Sequence, residues 1–85
     1  MRHGTAEMYN GHPSYNYWNV ALWIANDEGL YRLALDCIRQ TGTRAEAARA
    51  MLEALSGGRE HIIPTTPDGA PYTVKSIQHA MRGLS

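Results

Sequence analysis

Apolar residues recur at helical spacing in four stretches of this chain. In three of them the apolar positions follow i, i+3, i+4 and i+7, which predicts amphipathic helices that share one core. These three stripes are Leu30, Leu33, Ala34, Cys37 and Ile38; Ala48, Met51, Leu52 and Leu55; and Ile77, Ala80, Met81 and Leu84.

The first of the four stretches is apolar on nearly every side. We expect this helix to begin at a cap of Ser14 or Asn16 and to end near Asn26. A helix of this kind is either packed on two sides or keeps one side for a partner. Its two faces are formed by Trp18, Ala21, Leu22 and Ala25, and by Val20, Trp23 and Ile24.

The junction after the first helix carries mixed signals. Asn26 or Asp27 is suited to cap a second helix, and Glu28 is favourable near its positive end. Gly29, however, costs up to about 1 kcal/mol relative to alanine inside a helix. We therefore expect a break or a sharp bend here, and we expect Gly42 to end the second helix.

Side-chain signals also mark the ends of the last two helices. Thr43 followed by Glu46 is a capping box, in which each side chain accepts a hydrogen bond from a backbone N–H that the first turn leaves free. Residues 56–58, Ser-Gly-Gly, are expected to stop the third helix, and Thr73 to cap the fourth.

Residues 59–72 contain three prolines and predict an irregular crossing. Within it, residues 61–63 are a candidate for a short extended segment, and residues 66–69 predict a turn with proline at its second position. The predicted fold is an all-α single domain over residues 1–85. It has three to four short helices, an irregular arm at residues 1–14 and a proline-rich loop before the last helix.

Charge and composition narrow the class of protein. Eight basic and eight acidic residues cancel, so the chain has neither the net basic charge of a typical nucleic-acid binder nor the acidic charge of a DNA mimic. The longest apolar run, residues 20–25, is far shorter than the roughly 20 residues that cross a bilayer. We expect a cytoplasmic protein, with no membrane segment and no internal disulfide from its single Cys37.

The pattern does not favour catalysis. Cys37 lies in the apolar stripe of the second helix, where a nucleophile would be poorly exposed. Asp27 and Glu28 sit at a helix start, where adjacent carboxylates usually serve as capping charges. We therefore expect no enzyme activity, no metal and no cofactor. The four histidines are scattered through the chain, at His3, His12, His61 and His79.

The aromatic residues favour protein binding. Both tryptophans and three of the five tyrosines fall within residues 15–31, and tyrosine and tryptophan dominate the energetics of many interfaces. The alternative is that so small a domain needs its tryptophans for its own core. The predicted binding surface consists of Tyr15, Tyr17, Trp18, Trp23, Asn26, Asp27, Glu28 and Tyr31.

Two other functions stay open. Lys75, His79 and Arg82 share one side of the last helix, and Arg32 and Arg39 lie one heptad apart on the second. This pattern is compatible with a small DNA-binding or regulatory module, but a solvated helix face is the more common explanation, because two or three charges give only weak affinity for nucleic acid. In the second alternative the aromatic helix is the interface of a homodimer.

Part of the sequence resembles a box shared by small uncharacterised proteins of phages and mobile elements. The resemblance rests on residues 9–11, Tyr15, residues 18–24 (Trp-Asn-Val-Ala-Leu-Trp-Ile) and residues 26–31 (Asn-Asp-Glu-Gly-Leu-Tyr). Residues 66–73, Thr-Pro-Asp-Gly-Ala-Pro-Tyr-Thr, are similar to the closing turn of the same proteins. Together these segments cover about half the chain.

The chain departs from that box at the start of the first helix. Ser14 stands where those proteins commonly have asparagine, and Tyr17 where they have threonine. The resemblance implies a phage-type origin, and compact phage proteins often act by binding host machinery, with inhibitors of CRISPR–Cas complexes a prominent class. It therefore implies a non-catalytic protein that binds and inhibits a host defence complex.

Overall fold

The computed structural model describes residues 14–59 and 61–84, and these residues form four helices and no strand. The prediction of a small all-α domain is confirmed. The predicted arm lies, except for Ser14, outside the described residues. The helices are α1 (Tyr15–Asn26), α2 (Glu28–Gln40), α3 (Arg44–Ser56) and α4 (Val74–Met81).

Each of these helices begins in the same way. The side-chain oxygen of the residue before the helix accepts a hydrogen bond from the backbone N–H three residues later, which satisfies one donor of the first turn. The four caps are Ser14, Asp27, Thr43 and Thr73. Ser14 is therefore the cap rather than Asn16, and Asp27 rather than Asn26.

The expected break between the first two helices is present: it falls at Asp27, and Gly29 lies inside α2. Two other details of the helix ends differ from expectation. The Glu46 carboxylate accepts from the Gly42 N–H at 3.1 Å, one residue before the Thr43 N–H that the predicted box requires. Helix α2 ends at Gln40, because Thr41 already has an extended backbone.

The core lies where the four helices meet, and its centre is formed by Val20, Ile24, Met51, Ile77 and Met81, all of them fully buried. Alanines of α2 and α3 are buried beside them, so the helices approach closely. The leucines of the predicted stripes are only partly buried at the edge of this cluster.

The crossing from α3 to α4 folds back on itself. The Thr66 N–H donates to the Ala70 carbonyl and the Tyr72 N–H to the Pro64 carbonyl, each at 2.8 Å. At its tip the Gly69 N–H donates to the Thr66 carbonyl at 2.8 Å, and the left-handed φ of 93° at Gly69 suits glycine. The predicted turn at residues 66–69 is therefore present, whereas residues 61–63 form no strand.

Candidate interaction site

A polar cluster joins this turn to the first helix. The Asn19 side chain is fully buried, and its Oδ1 accepts a hydrogen bond from the Thr66 hydroxyl at 2.5 Å. Its Nδ2 donates to the Asp68 carboxylate at 2.9 Å, and the Trp23 indole N–H donates to the same oxygen at 3.0 Å. We call Asn19, Trp23, Thr66 and Asp68 the loop clamp.

The loop clamp satisfies buried groups on both elements. The Thr66 hydroxyl donates to Asn19 and accepts a hydrogen bond from the Ala70 N–H at 3.1 Å. The Asn19 amide and the Thr66 hydroxyl, both buried, therefore have hydrogen-bond partners. The two donors from Asn19 and Trp23 lower the pKa of the Asp68 carboxyl below its usual value, since both bind the charged form. The clamp therefore prefers an ionised Asp68.

The two tryptophans have different surroundings. Trp23 is half-buried and turned to Asp68, whereas Trp18 lies five positions earlier, about 140° away around the helix. Trp18 lines an open apolar groove of about 300 Å³ between α1 and the end of α4, and its ring lies 5.7 Å from that of Tyr15. The predicted aromatic set is thus divided between two sides of α1.

The outward side of α1 carries large apolar groups. Leu22 is 37% exposed and Tyr15 39% exposed, and Ala25 and Asn26 are exposed on the same side of the helix. With Trp18 these residues follow the spacing i, i+3, i+7, i+10 and i+11, which places them on one face. We call Tyr15, Trp18, Leu22, Ala25 and Asn26 the exposed α1 face.

The acidic residues of the junction have local partners. Asp27 caps α2 by accepting the Leu30 N–H at 3.0 Å. Glu28 forms an exposed ion pair with Arg32 at 2.5 Å. Tyr31, on the first turns of α2, is 39% exposed. Of the predicted junction residues, Tyr31 is therefore the one that offers a large side chain to solvent.

The basic residues of α2 have local acidic partners, whereas those on and next to α4 line an open groove. On α2, Arg32 pairs with Glu28, and Arg39 pairs with Asp36 at 2.8 Å. On α4, Lys75 and His79 line one open groove of about 370 Å³ together with Tyr17, Gln78 and Arg82, the residue that directly follows the helix. The rings of Tyr17 and His79 are 5.0 Å apart in that groove. Tyr17 thus belongs with the basic residues of α4 rather than with the exposed α1 face.

Cys37 and the possible metal ligands were the remaining candidates for chemistry. Cys37 is buried in the core, as its place in the apolar stripe predicted, and burial raises the pKa of its thiol, with a further contribution from Asp36. Within residues 14–59 and 61–84 there is no group of three His, Cys, Asp or Glu side chains placed to hold a metal ion.

Comparison with known proteins gives a family and no activity. A family model described as a family of unknown function, DUF7249, matches residues 5–84. The chain belongs to this family. No curated protein and no solved structure was found to match it significantly. None of the DUF7249 chain's described helices has the length and apolar character needed to span a membrane.

The sequence pattern does not mark the loop clamp as a unit. It predicts Trp23 as a binding residue and residues 66–69 as a turn, and it indicates no role for the Asn19 side chain. A signal was present, because Asn19 and Trp23 are four positions apart on one helix face and the turn contains two further polar side chains. In this member of DUF7249, those polar residues connect two segments that lie 45 to 49 positions apart.

Proposed function

We propose that this chain is a non-catalytic phage-type protein that binds and inhibits a host defence complex, with the exposed α1 face as its contact surface. The observation that carries the proposal is the exposure of Tyr15 and Leu22 beside Trp18 along one helix. Aromatic and aliphatic side chains that stay accessible on a folded domain are suited to bury area against a partner.

Contacts on the opposite side of α1 hold the exposed α1 face in place before any partner binds. The Asn19 and Trp23 side chains hold α1 against the loop from the opposite side, through Thr66 and Asp68. A helix fixed in this way presents its outward side chains with little loss of freedom on binding. Tyr31 follows directly after the junction and extends the candidate contact onto α2.

The use of the polar side chains supports binding rather than catalysis. Asp27 caps a helix, Glu28 is paired with Arg32, and Asp68 belongs to the loop clamp. Each of these carboxylates has a structural partner. Asp27 and Glu28, the two carboxylates considered as acid and base candidates, therefore both have partners within the chain.

The class of partner in this proposal comes from the resemblance to small phage and mobile-element proteins. Because of that resemblance, the first complex to test is a CRISPR–Cas effector, on which the chain would act as an anti-CRISPR protein. Tagged protein is mixed at physiological salt with the purified effector, and both complex formation and nuclease inhibition are measured. Near-stoichiometric binding and loss of cleavage are expected.

Variants separate the contact surface from the fold. Leu22→Glu, Tyr15→Ala and Tyr31→Ala are expected to weaken binding, with Leu22→Glu the strongest because it places a charge within the apolar patch. Ile63→Glu is the matched control, because Ile63 is 67% exposed on the loop between α3 and α4. All variants are first checked for an unchanged helical spectrum.

Each result decides one point. If Ile63→Glu abolishes binding while Leu22→Glu has no effect, the contact surface is not the exposed α1 face. If light scattering shows a dimer that only Leu22→Glu dissociates, the face serves self-association instead. Failure to inhibit any of a panel of defence complexes would contradict the proposed class of partner.

A further inference from the structure

The groove lined by Lys75, His79 and Arg82 adjoins a second groove on the side of α3. The second groove is open, with a volume of about 570 Å³, and lies between α4 and the start of α3. Gln78 and Arg82 line both grooves, and Arg44 lines the second. Lys75, Arg82 and Arg44 are therefore placed in order along one continuous surface, which we call the basic face.

The basic face is locally unbalanced although the whole chain is neutral. No aspartate or glutamate lines either groove. Among residues 14–59 and 61–84, the ion pairs are Arg32 with Glu28 and Arg39 with Asp36, so the side chains of Lys75, Arg44 and Arg82 form none. These three cations are available to an anionic ligand, whereas the two α2 arginines are partly neutralised by their neighbours.

An aromatic pair lies inside the same groove. The rings of Tyr17 and His79 are 5.0 Å apart with planes inclined by 41°, and Lys75 and Arg82 line the same groove. Cations that follow a backbone, combined with aromatic side chains on which bases stack, are the two elements of single-strand recognition. An acidic peptide would use the cations but would gain nothing from the ring pair.

We propose that the basic face binds single-stranded nucleic acid, with Lys75, Arg82 and Arg44 on successive phosphates and Tyr17 stacked on a base. This is a second activity, on a surface that adjoins the groove of Trp18 at His79. Three phosphate contacts give a slope of about −2 for log affinity against log salt, since each contributes about 0.7 on a single strand. Affinity then falls roughly 20-fold between about 50 and about 200 mM salt.

The test is fluorescence anisotropy with a short labelled oligothymidylate and the full chain. Lys75→Gln combined with Arg82→Gln is expected to reduce the salt slope to about −0.7 and to remove most of the affinity at low salt. The matched control is Arg32→Gln combined with Arg39→Gln. It removes the same net charge from exposed helix positions and is expected to change the affinity by no more than about twofold.

The stacking contact is tested separately. Tyr17→Ala is expected to weaken oligothymidylate binding roughly fivefold or more while the salt slope stays constant, because stacking releases no counterions. Tyr17→Phe keeps the ring and is expected to bind as the parent chain does. Circular dichroism of each variant confirms that the helices are retained.

Several outcomes would overturn the proposal. The first is no binding at about 50 mM salt, and the second is an equal loss in the α2 control pair, which would indicate a response to net charge alone. Equal competition by a polyglutamate peptide would assign the basic face to an acidic protein. Duplex DNA bound as tightly as the single strand, with no effect of Tyr17→Ala, would assign it to duplex phosphates.

Discussion

Asn19 is the residue on which the contact between helix and loop most depends. Its amide offers a donor and an acceptor from one fully buried position, and both are used, towards Asp68 and Thr66. A buried amide of this kind is stabilising only while both partners are in place, because an unmatched group keeps its full desolvation cost. The network therefore fixes how the loop is placed on α1.

We expect Asn19→Asp to destabilise the fold by about 1 to 3 kcal/mol at neutral pH. The substitution replaces the Nδ2 donor by a carboxylate facing that of Asp68, while the size of the side chain hardly changes. The loss should shrink as the pH falls, because a protonated carboxyl again offers a donor. Urea unfolding at several pH values measures this, and a loss that does not vary with pH would contradict the assigned hydrogen bond.

The ionisation of Asp68 gives a second prediction at this scale. Hydrogen bonds from Asn19 and Trp23 lower its pKa in the folded chain below the usual 3.8. Their contribution to stability is therefore complete above that value and is lost as the pH falls through the lowered pKa. The difference in unfolding free energy between the parent chain and Asp68→Ala should be constant near neutral pH and should narrow below about pH 3.8.

Trp23→Phe is an informative control for that titration. It removes one of the two donors to Asp68 and keeps an aromatic ring, so part of the pH dependence should remain. If Asp68→Ala shows the same acid dependence as the parent chain, other carboxylates account for it.

At the scale of the helices, sequence signals located the four starts and the ends of α1 and α3, but not the end of α2. Four starts are fixed by a hydroxyl or carboxylate that accepts a nearby N–H, which is local chemistry that three or four residues determine. The end of α2 is different. Gly42 suggested a glycine stop, but Thr41 becomes extended first, and its hydroxyl donates to the Cys37 carbonyl at 2.8 Å. A side chain thus satisfies a carbonyl at this end.

Asp27 serves both helices that meet at it, and its variants separate stability from recognition. Its N–H donates to the Trp23 carbonyl at the end of α1, and its carboxylate caps α2. Asp27→Ala should lower the unfolding free energy by about 1 kcal/mol, whereas Asp27→Asn keeps a capping oxygen and should cost little. Chemical denaturation of both variants measures the cap.

The same pair tests whether Asp27 contacts a partner. If only Asp27→Ala weakens binding, the effect comes from the cap. If Asp27→Asn weakens binding while stability is unchanged, the charge itself touches the partner, as the place of Asp27 in the predicted binding surface implies.

At the scale of the whole molecule, periodicity was sufficient for the fold class and insufficient for the site. Apolar spacing marked the core-facing sides of α2, α3 and α4, because that information is local to each helix. It did not reveal that Trp18 and Trp23 have different neighbours, since those neighbours come from α4 and from a loop about 45 positions away. Nor did it join Arg44 to Arg82, which line the same groove only because α3 packs on α4.

The stability of the whole domain depends on few large side chains, and Ile77 is the most direct test. A chain of 85 residues has an expected unfolding free energy of about 4 to 13 kcal/mol. Ile77 is fully buried where α4 meets the other helices, so Ile77→Ala should cost about 2 to 5 kcal/mol and bring the domain close to unfolding. Ile77→Val should cost only about 0.5 to 1.5 kcal/mol.

Ile63 provides the comparison within the same chain. The Ile63 side chain is 67% exposed, so Ile63→Ala removes little packing. It should alter the free energy of unfolding by no more than about 0.5 kcal/mol. Thermal and urea unfolding of Ile77→Ala, Ile77→Val and Ile63→Ala measure the contrast. A similar loss at both positions would mean that α4 does not pack on the core as described, and the basic face proposed along α4 would lose its scaffold.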